Sequence, residues 1–192
     1  MIYSIIYNRN KETAQQKEKR QNMLNIKRAF KTMNKEGSGT SWYYRLPNSN
    51  VLVSNGHIIV TVSNMFFEEN KDVLNNLHEN SILLDIARRN VEEQTTNVKA
   101  TSLIYEYDNK LLRILKPEHG KLVAINEKYL QVFNDCEKSH FFVTKKPETS
   151  ASAIMTPLFN CVVIEGTKEI YDFNCILPVY KDCEALLNKV LN

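Results

Sequence analysis

Apolar positions between Asn22 and Asn34 recur at steps of three and four, so that Met23, Ile26, Phe30 and Met33 share one stripe. That spacing predicts an amphipathic helix, and Gly37-Ser38-Gly39 predicts its end. Alternation takes over on either side. Ile2 to Tyr7 predicts a first strand, with Tyr3, Ile5 and Tyr7 on one face, and Ser41 to Leu46, Asn50 to Ser54 and His57 to Ser63 predict three more. Asn55-Gly56, between Val51-Leu52-Val53 and Ile58-Ile59-Val60, predicts a two-residue hairpin turn with positive φ at both positions.

Met65 to Asn90 predicts one or two helices, with Val73, Leu74 and Leu77, then Leu83, Leu84 and Ala87, as the apolar stripes. Val91 to Lys99 reads as a polar connection, and a second hairpin follows, Thr101 to Tyr107 and Lys110 to Leu115 across Asp108-Asn109. After a strand through Leu122, Val123 and Ile125, Asn126 is placed to cap a helix reaching Asn134 and burying Tyr129, Leu130 and Phe133. Further strands are expected at Phe141 to Thr144, Ala151 to Thr156, Cys161 to Ile164 and Ile176 to Val179, then a closing helix at Lys181 to Asn192. Strand, helix and strands thus come twice in the same order. The expected class is α+β: two β-α-β-β-β halves form a largely antiparallel sheet with both helices side by side on one face. One domain of 192 residues would comprise a first half (1–64), a helical insertion (65–95), a second half (96–180) and the C-terminal helix (181–192).

Charge adds an asymmetry to this plan. Residues 1–50 hold ten Lys/Arg against three Glu, and the rest of the chain fifteen against nineteen Asp/Glu. On the wheel of the first helix, Arg20, Lys27, Arg28, Lys31 and Lys35 lie away from the apolar stripe. A cationic face of this kind grips phosphates without reading bases, or serves only as a solvated surface. Composition is otherwise that of a globular chain, with 43% hydrophobic and 24% charged residues and only five glycines and five prolines. No apolar run reaches membrane-spanning length, and Met1 to Tyr7 lacks a basic leader region and a small-residue cleavage site. A cytoplasmic location is expected, with no membrane partner.

Candidate chemistry is sparse. Cys136, Cys161, Cys175 and Cys183 include no C-x-x-C pair, and His57, His78, His119 and His140 are scattered singly, so no metal and no cofactor are expected. Reduced thiols follow from the expected compartment. Cys136 and His140 are four apart and could be read as a thiol and its base, but nothing in the sequence shows that the two converge or that a third group orients them. Asp85 with Arg88-Arg89 reads as a solvated helix face, and Gly37-Ser38-Gly39 lacks the lysine of a phosphate loop. An enzyme is not expected.

Two stretches resemble bacterial DNA sliding clamps. Val53-Ser54-Asn55-Gly56-His57-Ile58-Ile59-Val60, a hairpin after a basic amphipathic helix, is one; Ile125-Asn126-Glu127-Lys128-Tyr129-Leu130, leading to a strand meander that closes on Ile176-Leu177-Pro178-Val179, is the other. The resemblance implies a domain of two β-α-β-β-β units whose helices line a DNA-facing surface. It implies backbone contacts from Arg20, Lys27, Arg28, Lys31 and Lys35. Clamps carry two or three such domains per subunit and this chain has room for one, the 65–90 segment would be an insertion, and the second helix offers only Lys128 as a basic residue. The expected function is therefore a non-enzymatic, DNA-associated clamp-like protein, a replication or processivity accessory of phage or mobile-element origin. The expected partners are the double-stranded DNA backbone, a replication or host protein, and further copies of the chain. The alternative is a small regulatory or inhibitory module that binds a host protein and no DNA.

Overall fold

Val51, Leu52 and Val53 are all fully buried, with Val51 and Val53 in one apolar cluster and Leu52 in another, so the strand that carries them is covered on both faces. An uninterrupted apolar run is what such a strand requires. The structure is a computed structural model and describes residues 25–36, 39–92, 94–107, 109–117, 122–133, 141–144, 161–165 and 175–178. The elements in order are α1 (Ile26–Glu36), β1 (Ser41–Arg45), β2 (Asn50–Ser54), β3 (Ile59–Ser63), α2 (Asn64–Asn70), a 3-10 turn (Lys71–Val73), β4 (Leu77–Glu79) and α3 (Ile82–Glu92). They continue as β5 (Gln94–Tyr107), β6 (Lys110–Pro117), β7 (Val123–Asn126), α4 (Glu127–Leu130), β8 (Phe141–Thr144), β9 (Cys161–Glu165) and β10 (Cys175–Pro178).

The class is mixed α+β, and among the described residues the strands divide into two sheets. Six strands run in the order β4-β1-β2-β3-β10-β9 and four in the order β7-β6-β5-β8. Every pairing among them is antiparallel except β1 with β4. The halves do not keep their strands to themselves: β10 joins β3 at Cys175↔Val60 and brings β9 with it. The end strands of the two sheets, β8 and β9, lie against one another.

One core serves both sheets. Ala29, Phe30 and Met33 of α1 pack with Val51, Val53, Val60 and Val62 of the first sheet, Val98, Leu115 and Ile125 of the second, and Tyr129 and Leu130 of α4. The two helices therefore share one core. Leu83, Ile86 and Ala87 of α3 cover the opposite face of the six-stranded sheet, over Leu52, Ile59 and Leu46. The 65–90 segment thus serves both faces, since Phe67 and Leu74 join the shared core while α3 forms a second covering layer. It also contains a strand where only helix was expected: Leu77–Glu79 pairs with Ser41–Tyr43, and Val73 is 52% exposed instead of lining a helical stripe.

Three other sequence expectations change. Gln94–Lys99, read as a polar connection, is the start of β5; Val98, only 1% exposed, anchors it in the core. Leu122 stands before β7, and α4 covers four residues, followed by a turn at Gln131 and Val132, so the second helix is shorter than expected. Asn126 caps α4 as expected, its side-chain oxygen accepting from Lys128 N–H.

The third change concerns the Asn55-Gly56 hairpin. Ser54 pairs with Ile59, which leaves a loop of Asn55, Gly56, His57 and Ile58. Gly56 has φ +86°, whereas Asn55 is not among the positive-φ residues. The cause is burial: Ile58 is fully buried in the shared core, and pulling it there opens the turn. Asn55 then works through its side chain. Its Oδ1 accepts from His57 N–H (3.0 Å) and Ile58 N–H (3.1 Å), and its Nδ2 donates to the Met33 carbonyl (3.1 Å) in the last turn of α1. The second hairpin keeps its expected form, with Asn109 at φ +57°.

The predicted strands Ile2 to Tyr7 and Ala151 to Thr156 and the helix Lys181 to Asn192 lie outside the described residues, as do Met23, Cys136, His140 and Cys183. Cys175 is fully buried on β10.

Candidate nucleic-acid interface

Helix α1 starts where Asn25 caps it. The Asn25 Oδ1 accepts from Arg28 N–H at 3.0 Å, and Ala29 N–H donates to the Asn25 carbonyl at 2.9 Å. From there the sequence sorts by face. Ala29, Phe30 and Met33 are at most 1% exposed, and Phe30 meets the Phe66 ring edge-on at 5.9 Å. Lys27, Arg28, Lys31 and Lys35 are all exposed. At about 100° per residue these four fall within an arc of about 100°, centred opposite the buried stripe. Ala29, absent from the expected stripe, completes it. Arg20 lies outside the described residues.

Lys27, Lys31 and Lys35 form the row, one every fourth residue and about 6 Å apart along the helix axis. Among the described residues none of the three makes an ion pair. Two cations, Lys27 and Arg28, stand in the first turn, where no acidic residue balances the helix dipole. Positive charge there costs the helix a few tenths of a kcal/mol. The Arg28 Nη1 donates to the Gln131 carbonyl at 2.8 Å.

That contact is half of a joint between the helices. Asn25 N–H donates to the Val132 carbonyl at 2.7 Å, so the start of α1 supplies donors to two successive carbonyls just past α4. The other end of α4 is held by a second arginine. Arg113 on β6 makes a bidentate pair with Glu127, at 2.6 and 2.8 Å, with both side chains largely buried (11% and 16% exposed). The Arg113 Nη1 also donates to the Thr101 carbonyl at 3.0 Å, within the stretch where the β5–β6 register shifts. Neither arginine contact can be read from local spacing, since the partners are far apart in the chain.

A second charged cluster lies away from α1. An open cleft of about 440 Å³ is lined by Tyr43, Arg45, Phe67, Lys71, Asp72, Leu74 and Leu77. The Arg45 guanidinium sits 5.7 Å from the Tyr43 ring centre and 5.5 Å from that of Phe67, and it is hydrogen-bonded to Asn64 and Glu68. Lys71 reaches the other Glu68 oxygen at 2.7 Å. Lys71 first, and Arg45 next, hold the Glu68 carboxyl below the usual range, while Glu68 raises both cations. These charges are satisfied among themselves and organise the cleft wall. Among the described residues no three His, Cys, Asp or Glu side chains converge as a metal site would require. Asp85 and Arg88 face each other at 3.9 Å on the exposed side of α3.

No family model, no curated protein and no solved structure matches this chain. Among the described residues, no helix is long and apolar enough to cross a membrane.

Proposed function

We propose that this chain is a non-enzymatic protein with a clamp-like domain that holds the backbone of duplex DNA through the exposed face of α1, as an accessory to replication. The observation that carries the reading is the row Lys27, Lys31 and Lys35, exposed and without ion pairs among the described residues, on a helix whose other face is locked into the core. Such a row attracts phosphates by charge and offers no base-reading geometry. The shared core of α1 and α4 supports the clamp-like element of the proposal.

The test is a titration of linear duplex at several salt concentrations. Log affinity should fall linearly with log salt, and replacing Lys27, Lys31 and Lys35 by Gln should flatten the slope by about 0.9 for each phosphate no longer neutralised. No duplex binding at low salt would end this reading. Leu103, Ile104 and Leu111, each 47–59% exposed on the β5–β6 hairpin, favour a second reading. Exposed apolar side chains on one hairpin suit a protein surface, and an inhibitory module would bind its protein partner and no DNA.

A further inference from the structure

We infer that Arg28 is a positioning residue and not a phosphate contact: its guanidinium spans the joint between α1 and α4 and fixes the angle at which the lysine row is presented. The inference rests on the DNA-binding reading above. Arg28 shares its arc with Lys27, Lys31 and Lys35, so the sequence groups all four as one cationic face. The structure separates them. The three lysines project without a protein anion among the described residues, whereas the Arg28 head is turned back onto the Gln131 carbonyl at 2.8 Å.

The neighbouring bonds show why that position matters. Helix α4 spans only four residues, too few to hold its own orientation, and the two carbonyls in the turn that follows it take their donors from α1. Gln131 receives Arg28 and Val132 receives the Asn25 amide, which comes from the same turn of α1 that the Asn25 side chain organises. Arginine suits this place because its rigid fork donates in a fixed direction while its charge faces the end of a helix. Lysine at Lys27, Lys31 and Lys35 suits a different task, a mobile point charge following a phosphate.

Arg28→Met and Lys27→Met remove the same charge from the same turn, so comparing them isolates geometry from field. Lys27→Met should lower the slope of log affinity against log salt by about 0.9. Arg28→Met should leave that slope within a small fraction of this value. It should weaken binding about fivefold at fixed salt, the equivalent of one hydrogen bond, and speed hydrogen exchange at the Asn25 amide. Arg28→Gln serves as the second variant should Arg28→Met not fold. A slope loss matching that of Lys27→Met overturns the inference whatever the exchange shows. Unchanged exchange at Asn25, or unchanged affinity at fixed salt, also overturns it. If the unaltered protein binds no duplex at all, the DNA reading falls by itself and Asn25 exchange alone decides the role of Arg28.

Discussion

Replacing Asn55 by Ala tests whether one side chain organises the β2–β3 loop and ties it to α1. Asn55 is 3% exposed and makes three hydrogen bonds at 3.0–3.1 Å. Two of its partners cannot turn to water. Ile58 is fully buried, and the Met33 carbonyl belongs to the last turn of a helix on a residue 1% exposed. Each buried polar group left without a partner costs about 1–3 kcal/mol, and His57, half-buried, contributes less, so the expected loss is about 3 kcal/mol. The assay is urea unfolding, with the midpoint falling and the m-value unchanged. A loss below about 1 kcal/mol at constant m would refute the reasoning, since local water would then replace the amide at no great cost. A change in m would point to a looser native or unfolded state instead.

Gly56→Ala should destabilise by about 1–3 kcal/mol, because φ is +86° and the added methyl would lie 3.3 Å from Cζ3 of Trp42. Thermal melting of the variant checks it, and an unchanged midpoint would mean that the indole moves aside. Glu68→Gln should flatten the acid side of the stability profile. The Glu68 pKa is depressed in the folded state by Lys71 and Arg45, so its contribution is present above the unfolded glutamate value, about 4.3, and is lost as pH falls through the lower folded value. Melting temperatures of the two proteins should converge at low pH, and a constant gap down to low pH would contradict the assignment.

The elements visible in the sequence are those whose signal is local. Met33 and Phe30 recur at helical spacing, Val51 to Val53 form a continuous apolar run, and Asn126 precedes a helix it can cap; each of these is placed as read. Leu77 misleads because Val73, Leu74 and Leu77 also fit a helical step. Only the parallel register with Ser41–Tyr43 makes that stretch a strand, and such a partner leaves no local trace. Gln94–Lys99 misleads for the same reason: one buried valine and a partner strand outweigh a polar composition. At the candidate site the cationic face is legible in the sequence and the division within it is not. Arg28 differs from its neighbours through a carbonyl 103 residues away.

The placement of β10 beside β3 sets an order on assembly. Val60 must wait for Cys175, more than a hundred residues later, before its strand has a neighbour on that side. Until then the β3 edge offers unpaired amides and carbonyls next to Val60 and Val62, a template for pairing with another chain. Loops of this length close slowly, and pairings between distant strands lower the folding rate. A nascent chain on the ribosome therefore carries β1 to β3 and α1 as an open, apolar-edged platform, completed only when β9 and β10 have emerged. Fragments that stop short of Cys175 would be expected to aggregate through β3, and chaperone binding during synthesis would fall on that same edge.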